Sequence, residues 1–493
     1  MKRILIFITL SASVLSLNAQ NEVDALRYSR LSVVGTARYS GLGGAFGALG
    51  ADFSTLSVNP AGIGLYRSSD FSITPSLNMG STSSVYLGEK GQDSHLNFNL
   101  GNVGFVSVLD AGNPKTSSIR KVMFGFGINR VNSFNNRVII NGFNENNSLL
   151  TVYADESNGL LPSELDAYGA GPAYDANLIF DTIGNLVYDA DMLNGGILQR
   201  KTIQSWGSMN EMELSMGANI LDKFYIGGTL GVPFVRYFER ITYTEEDTQN
   251  RNKYFQRFDR TERLNTTGTG INFKLGIIYK PVEFIRLGLA VHTPTYFNKM
   301  SDAWSSEMSS VFDTIVVNNE STFSSISPKG TYDYSLTTPF RAIGSVAFIF
   351  GKFGLLSVDY EFVDYPGANI RIFDTSIASS IDYDAINTAN YAIRKKYRGT
   401  GNLRLGAELK LAQFSFRGGY GIEGDPYKSS VNNSEGQSYS FGLGIREKEY
   451  NIDLAFTHSK RAEDYYIYDP SYVQASRNTT QASNLMLTIG FRF

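Results

Sequence analysis

The residues best suited to chemistry in this sequence are three histidines, His95, His292 and His458. On a strand, a His-x-Ser pair would place a serine nucleophile and a histidine base on the same face, within reach of each other. The residues two positions after the histidines are Asn97, Pro294 and Lys460. The pair is therefore absent, and we expect no catalytic residue and no enzymatic activity.

Two groups of neighbouring acids are the only candidates for a metal site. Glu245-Glu246-Asp247 and Glu463-Asp464 lie in predicted external loops and carry oxygen ligands that suit calcium, but solvated loop charge is far more common. The chain has no cysteine, which excludes disulfides, thiol nucleophiles and zinc–thiolate sites. A formal net charge of −3 gives no basis for binding nucleic acid. We expect neither a metal nor a cofactor.

Residues 1–19 have the pattern of a cleaved signal peptide. Lys2 and Arg3 precede an apolar run from Ile4 to Leu17, and Ala19 is a small residue before the expected cut. The run is shorter than the roughly 20 residues of a spanning helix. We therefore expect an exported protein.

Alternation of apolar and polar residues is the strongest structural signal. Leu485, Leu487, Ile489, Phe491 and Phe493 alternate with polar or small residues, and the same pattern recurs near residues 71–79, 122–129, 271–291, 402–411 and 450–457. One face of each segment is apolar, and the other carries glycine and charges of both signs. This division is typical of an outer-membrane barrel with lipid outside and water inside. In such a wall His292 is expected to face the lumen as a polar residue.

The connections also alternate in length. We predict strands at 70–79, 95–109, 121–140, 206–220, 224–243, 264–280, 284–297, 334–350, 353–365, 400–411, 413–424, 436–446, 449–462 and 482–493. Short turns follow the even-numbered strands, whereas long loops such as 141–205 and 366–399 follow the odd-numbered ones. The sequence thus predicts an all-β fold, an antiparallel transmembrane barrel of about 14 strands over residues 70–493. We expect long loops outside the cell and both termini in the periplasm.

Residues 20–69 do not fit the strand pattern. They combine closely spaced glycines with apolar residues and the element Asn59-Pro60-Ala61-Gly62. A dinucleotide-binding frame begun at Gly41 would need glycine at Phe46. The apolar content favours a compact plug inside the barrel over a disordered leader.

These residues resemble the hatch of FadL-type outer-membrane transporters for long-chain fatty acids. The run Gly35 to Arg38, Gly43-Gly44-Ala45-Phe46 and the Asn59 element carry the resemblance. Three later stretches also look like that family: 286–295, 338–341 and 358–362.

The resemblance implies a fourteen-stranded barrel with an N-terminal hatch and a lateral exit at the third strand. It assigns hatch or gating roles to Gly43, Gly44, Phe46, Gly47, Asn59, Pro60 and Ala61. For the exit we expect Asn132, Ser133, Phe134 and Asn135, where the clean alternation ends; an ordinary β-bulge explains this ending as well.

The function implied is passive uptake of small hydrophobic molecules, such as fatty acids or aromatic hydrocarbons, across the outer membrane of a Gram-negative bacterium. The expected partners are the hydrophobic ligand, outer-membrane lipid and lipopolysaccharide, and the barrel-assembly machinery. The alternative is a structural or adhesive barrel without transport. The chain is too short for a 22-stranded receptor with its plug.

Overall fold

The computed structural model describes residues 21–111, 117–182, 184–192, 195–252, 254–313, 320–428 and 432–493. The signal peptide expected at residues 1–19 lies outside these ranges. None of the helices in the described part of the chain combines the length and apolar content needed to cross a bilayer.

Fourteen antiparallel strands form a closed barrel, because strand 14 pairs with strand 1 from Asp70↔Arg492 to Val85↔Arg477. Strands 1 to 7 are Asp70–Tyr86, Glu89–Asp110, Ile119–Ser133 with Asn136–Asn144, Ile197–Ile220, Phe224–Glu246, Phe255–Val282, and Ile285–His292 with Tyr296–Phe312. Strands 8 to 14 are Gly330–Thr337 with Arg341–Ile349, Gly354–Asp364 with Asn369–Ile372, Gly399–Leu411, Phe414–Glu423, Gly436–Arg446, Tyr450–Tyr465 and Ser476–Arg492. The predicted fold class and the strand number are confirmed.

Helices lie at the start of the chain and in the long connections. The α-helices are Glu22–Ser29, Ala37–Gly41, Thr55–Val58, Leu149–Ser157, Ala170–Asp175 and Ser380–Lys396, and the 3₁₀-helices are Pro60–Leu65, Pro162–Glu164 and Tyr365–Gly367. Short strands at Phe180–Asp181 and Tyr188–Asp189 pair with each other, and Thr322–Ile326 pairs with strand 7.

The two faces of the wall differ as predicted. Leu487 and Phe273 face outward and are exposed, whereas the neighbouring Met486 and Thr488 face inward and are buried. His292 also faces inward. Its Nε2 lies 2.8 Å from the carbonyl oxygen of Val58. Short turns lie at one end of the barrel, hereafter the short-turn end, and the long connections lie at the other, the long-loop end.

Several strands are longer than predicted. Residues 80–94, expected to be a connection, belong to strands 1 and 2, which are joined by a turn at Leu87-Gly88 with positive φ at both residues. Strand 6 likewise begins at Phe255 rather than near residue 264. The ladders continue beyond the apolar belt, where the outward faces are largely polar, so the regular alternation that revealed the strands has already ended.

The N-terminal segment, residues 21–69, contacts the inner face of the wall on several sides. The backbone N–H of Ala37 donates to Thr488 Oγ1 (2.7 Å) on strand 14. The N–H groups of Phe46 and Gly47 donate to Asp359 Oδ2 on strand 9, at 2.8 and 2.7 Å. These bonds satisfy buried donors at the start of the Ala37–Gly41 helix and in the Phe46–Gly47 turn.

Candidate functional site

Gly43 and Gly44 form the tight turn of the N-terminal segment. Both have positive φ, at 64° and 76°, which side chains rarely tolerate. Gly47 lies so close to the wall that a Cβ there would be 2.0 Å from Ser345 Oγ. The glycines predicted from the hatch motif therefore let the backbone approach the wall.

Asn59, Pro60 and Ala61 join two parts of the segment. Asn59 Oδ1 accepts from the Ala61 N–H at 3.1 Å and so caps the 3₁₀-helix that Pro60 begins. Asn59 Nδ2 donates to the carbonyl oxygens of Gly47 and of Ile277 on strand 6. This one side chain thus ties the Phe46–Gly47 turn, the 3₁₀-helix and the wall together.

Strand 3 is interrupted where the sequence alternation ends. Its pieces stop at Ser133 and resume at Asn136, with Phe134 and Asn135 between them. On one side strand 4 follows both pieces, and the Phe134 N–H donates to the carbonyl of Gly207 at 3.1 Å. On the other side the ladder with strand 2 ends at Asn102↔Asn129. Strands 2 and 3 therefore separate on the short-turn side of the interruption, a few residues before it.

Beyond this point the second piece of strand 3 lies on the lumen side of the hairpin formed by strands 1 and 2. Thr82, which faces inward from strand 1, donates from Oγ1 to the carbonyl of Arg137 at 2.5 Å. A Cβ at the inward-facing Gly91 would collide with the carbonyl of Ile139. The wall has two layers here, and strand 3 has an edge that strand 2 does not cover.

The N-terminal segment covers that edge, and residues 30–32 with Val131 and Asn132 are hereafter called the seal. The Ser32 N–H donates to the Val131 carbonyl at 2.9 Å, as a neighbouring strand would. Asn132 Nδ2 donates to the Arg30 carbonyl at 3.0 Å, and Ser32 Oγ donates to Asn132 Oδ1 at 2.9 Å. Asn132 was expected at this site; its partners on the N-terminal segment were not.

Phe134 turns into the lumen beside the seal. Its ring makes edge-to-face contacts with Tyr28 of the N-terminal segment and Tyr237 of strand 5, at centroid distances of 6.0 and 5.3 Å. The guanidinium of Arg27 lies 4.3 Å from the Tyr237 ring centroid. Burial raises the pKa of Tyr28, so its phenol stays neutral in this cluster.

A cavity of about 90 Å³ lies behind the seal. Leu31, Ser32, Val34 and Tyr39 line it from the N-terminal segment, and burial raises the pKa of Tyr39 to about 12. Its charged lining residues are Arg130, Glu211, Lys274, Arg341, Glu361 and Arg404. An engineered cavity of about 150 Å³ binds benzene, so the space behind the seal is smaller than one known to hold an aromatic molecule.

Most of these charges neutralise one another. Arg341 and Arg404 contact Glu361 at 3.0 and 2.6 Å, and Lys274 contacts Glu211 and Glu213. Arg130, on strand 3 next to the seal, has no ion-pair partner among the described residues, and its Nε is buried without a hydrogen bond. The cavity thus presents one uncompensated cation.

The carboxylates considered as calcium ligands each bind other groups of the protein. Glu245 is buried and accepts bonds from Ser148, Leu149, Gln199 and Tyr243. Asp464 pairs with Arg477, and Glu463 with Arg30. Within the described ranges, no group of three or more His, Asp or Glu side chains has a metal-binding arrangement.

Solved structures show which architecture this is. A Pseudomonas aeruginosa FadL homologue matches with a TM-score of 0.54 and 11% identity, over 94% of this chain and 100% of that one. The P. putida toluene transporter TodX matches with a TM-score of 0.54 and 10% identity, over 94% and 99% of the two chains. This chain shares their fold. No family model and no curated protein matches the sequence. The FadL-type fold was thus expected from short motifs and is confirmed by the backbone.

Proposed function

We propose that this chain takes small hydrophobic molecules across the bacterial outer membrane and releases them sideways between strands 2 and 3. Residues 20–69 act as the hatch, and the seal is its gate. The observation that carries the proposal is that the free edge of strand 3 is bonded by residues 30–32 instead of by strand 2. Withdrawal of a few hydrogen bonds, each contributing about 1 kcal/mol net, would open this edge.

The outer surface beside the gate suits an apolar cargo. On strand 2, level with the gap and just above it, Phe98 and Leu96 point outward and are 73% and 65% exposed. A molecule leaving here would meet apolar side chains and lipid rather than water. Each CH₂ that avoids water saves about 0.8 kcal/mol, so the passage needs no energy source.

The expected orientation follows from the sorted connections. We place the long-loop end outside the cell and the short-turn end, with both termini, in the periplasm, as barrels of this class are built. Insertion would require the barrel-assembly machinery. The similar structures include a transporter of toluene, and transport rather than catalysis is the role that the interrupted wall supports.

Between the two cargo classes considered, Arg130 favours a molecule with an anionic head. A carboxylate would pair with the uncompensated guanidinium in the cavity. Arg130→Gln is expected to lower uptake of a labelled long-chain fatty acid about tenfold and to leave uptake of toluene unchanged. Equal losses for both compounds would contradict this assignment.

Reversible cross-linking of the gate tests transport itself. The side chains of Ser32 and Asn132 touch, so Ser32→Cys/Asn132→Cys should form a disulfide that holds the seal shut. We expect uptake of labelled fatty acid and of toluene to fall to background in the oxidised protein and to recover on reduction.

A matched control joins two strands away from the gate. The hydroxyl oxygens of Ser215 on strand 4 and Thr229 on strand 5 lie 2.6 Å apart. A disulfide in Ser215→Cys/Thr229→Cys should leave uptake unchanged. If the oxidised seal transported normally, the lateral gate would be wrong. If neither compound entered through the unmodified protein, the structural or adhesive barrel would be the better account.

A further inference from the structure

An arginine-rich patch lies on the outer surface of strands 4 to 6. Arg236 and Arg240 project outward from strand 5, on either side of Phe238. Trp206 of strand 4 stacks on Phe238 with a centroid distance of 5.6 Å and an interplanar angle of 12°. Arg263 of strand 6 stands directly opposite Arg240 in the ladder. We name Arg236, Arg240, Arg263, Trp206 and Phe238 the arginine–aromatic patch.

The arginine–aromatic patch carries more positive charge than the carboxylates around it neutralise. Arg263 contacts Glu307 at 3.3 Å, but Arg236 and Arg240 have no carboxylate partner in the described part of the chain. Like charges directly opposite each other destabilise an antiparallel pair. Many other exposed arginines of the long-loop half are paired, for example Arg137 with Asp93, Arg251 with Glu145 and Arg477 with Asp464. An anion from outside the chain would therefore neutralise the positive charge that Arg240 and Arg263 place side by side.

The height of the patch identifies where that anion comes from. Arg236 lies about 30 Å above Phe224, the first residue of strand 5, taking about 3.3 Å per residue and a tilt of about 40°. The apolar band of such barrels is about 25 Å tall and ends in aromatic residues. Trp206, 38% exposed, pairs with Phe238 and by the same reckoning lies about 35 Å above Phe224, beyond the apolar band. The arginines next to it are thus level with lipid head groups.

We propose that the arginine–aromatic patch binds the phosphate groups of a lipopolysaccharide molecule of the outer leaflet. Arginine holds phosphate through paired N–H donors, and Arg236 and Arg240 offer such donors on either side of the Trp206–Phe238 stack. The site fixes a lipid to the side of the barrel formed by strands 4 to 6. This inference rests on the proposed location in the outer membrane but is independent of transport.

The test measures lipid binding to the purified full-length barrel in a phosphate-free detergent. Native mass spectrometry would follow titration with bisphosphorylated lipid A, enzymatically dephosphorylated lipid A and phosphatidylglycerol. We expect bisphosphorylated lipid A to bind most tightly, and Arg236→Gln/Arg240→Gln to weaken it at least about tenfold. Lys460→Gln/Lys395→Gln removes two exposed cations elsewhere and should leave binding unchanged.

Several outcomes would overturn the proposal. Equal affinity for dephosphorylated lipid A would show that only acyl chains are recognised, and equal affinity for phosphatidylglycerol would exclude a lipopolysaccharide site. An equal loss of affinity in the control variant Lys460→Gln/Lys395→Gln would show that binding depends only on the total charge of the protein. The side chains of Arg236 and Arg240 project outward from strand 5, and strand 4 separates them from the seal on strand 3, so uptake in the Arg236→Gln/Arg240→Gln protein reports separately on the proposed transport. Electrophoretic mobility before and after heating checks that each variant is folded.

Discussion

Two interruptions of the barrel wall differ, because the one in strand 3 lies where neighbouring strands separate and the one in strands 7 and 8 does not. Strand 3 breaks at Phe134-Asn135, where strand 2 has already left it. Strands 7 and 8 break together, at Pro294 and Pro339. There the Thr338 N–H donates to the Thr295 carbonyl at 3.0 Å, and the Thr295 N–H donates to Thr338 Oγ1 at 2.8 Å. The second interruption remains closed by the wall itself.

This difference shows what makes an opening in a barrel. Proline removes an N–H from a ladder, but paired threonines restore the missing bond across strands 7 and 8. Strand 3 has no proline at its break, yet its edge is free because its neighbour has moved outward. The free edge is closed by the N-terminal segment, which is not part of the wall.

The largest effect is expected from removing the seal. Ser32→Pro/Asn132→Ala abolishes the three hydrogen bonds that hold residues 30–32 to strand 3. At about 1 kcal/mol each, their loss shifts the equilibrium toward the open form by about two orders of magnitude. We expect increased conductance in planar bilayers and faster uptake of labelled fatty acid. Unchanged conductance would mean that the seal does not limit opening.

A smaller effect is expected where the N-terminal segment is anchored to strand 9. Asp359→Ala leaves the buried N–H groups of Phe46 and Gly47 without an acceptor, at a cost of about 1–3 kcal/mol each. We expect faster proteolysis of the N-terminal segment with the barrel intact. Asp359→Asn keeps an acceptor oxygen and is the matched control. Equal proteolysis of both variants would show that this anchor is not needed.

The smallest effect on transport is expected at strands 7 and 8. Thr338→Val removes the acceptor of the Thr295 N–H while keeping the side-chain volume. The barrel should lose about 1–3 kcal/mol of stability, measured as a lower urea midpoint, with uptake unchanged. Thr331→Val, at an exposed position of strand 8, should alter neither. Increased uptake in Thr338→Val would show that the interruption of strands 7 and 8 also opens. The two interruptions would then not differ in the way proposed.

The sequence alone was sufficient for the wall. The alternation at Leu485 to Phe493 and in the segments like it defines two chemically different faces, and the sorted connections define the number of strands. Both signals are local, since side chains alternate along every strand whatever its neighbours are. The end of alternation near Asn132 also marked the interruption of strand 3. The upper parts of strands 1, 2 and 6 were missed because their outward faces are largely polar and apolar residues no longer recur at every second position.

Only the tertiary structure decided how the interruption is closed. The bonds from Ser32 to Val131 and from Asn132 to Arg30 join residues about one hundred positions apart, and most of them involve backbone atoms, which carry no residue-type signal. The opposition of Arg240 and Arg263 likewise depends on the register between two strands. Periodicity fixes which way a side chain points, but it does not fix which distant backbone lies beside it.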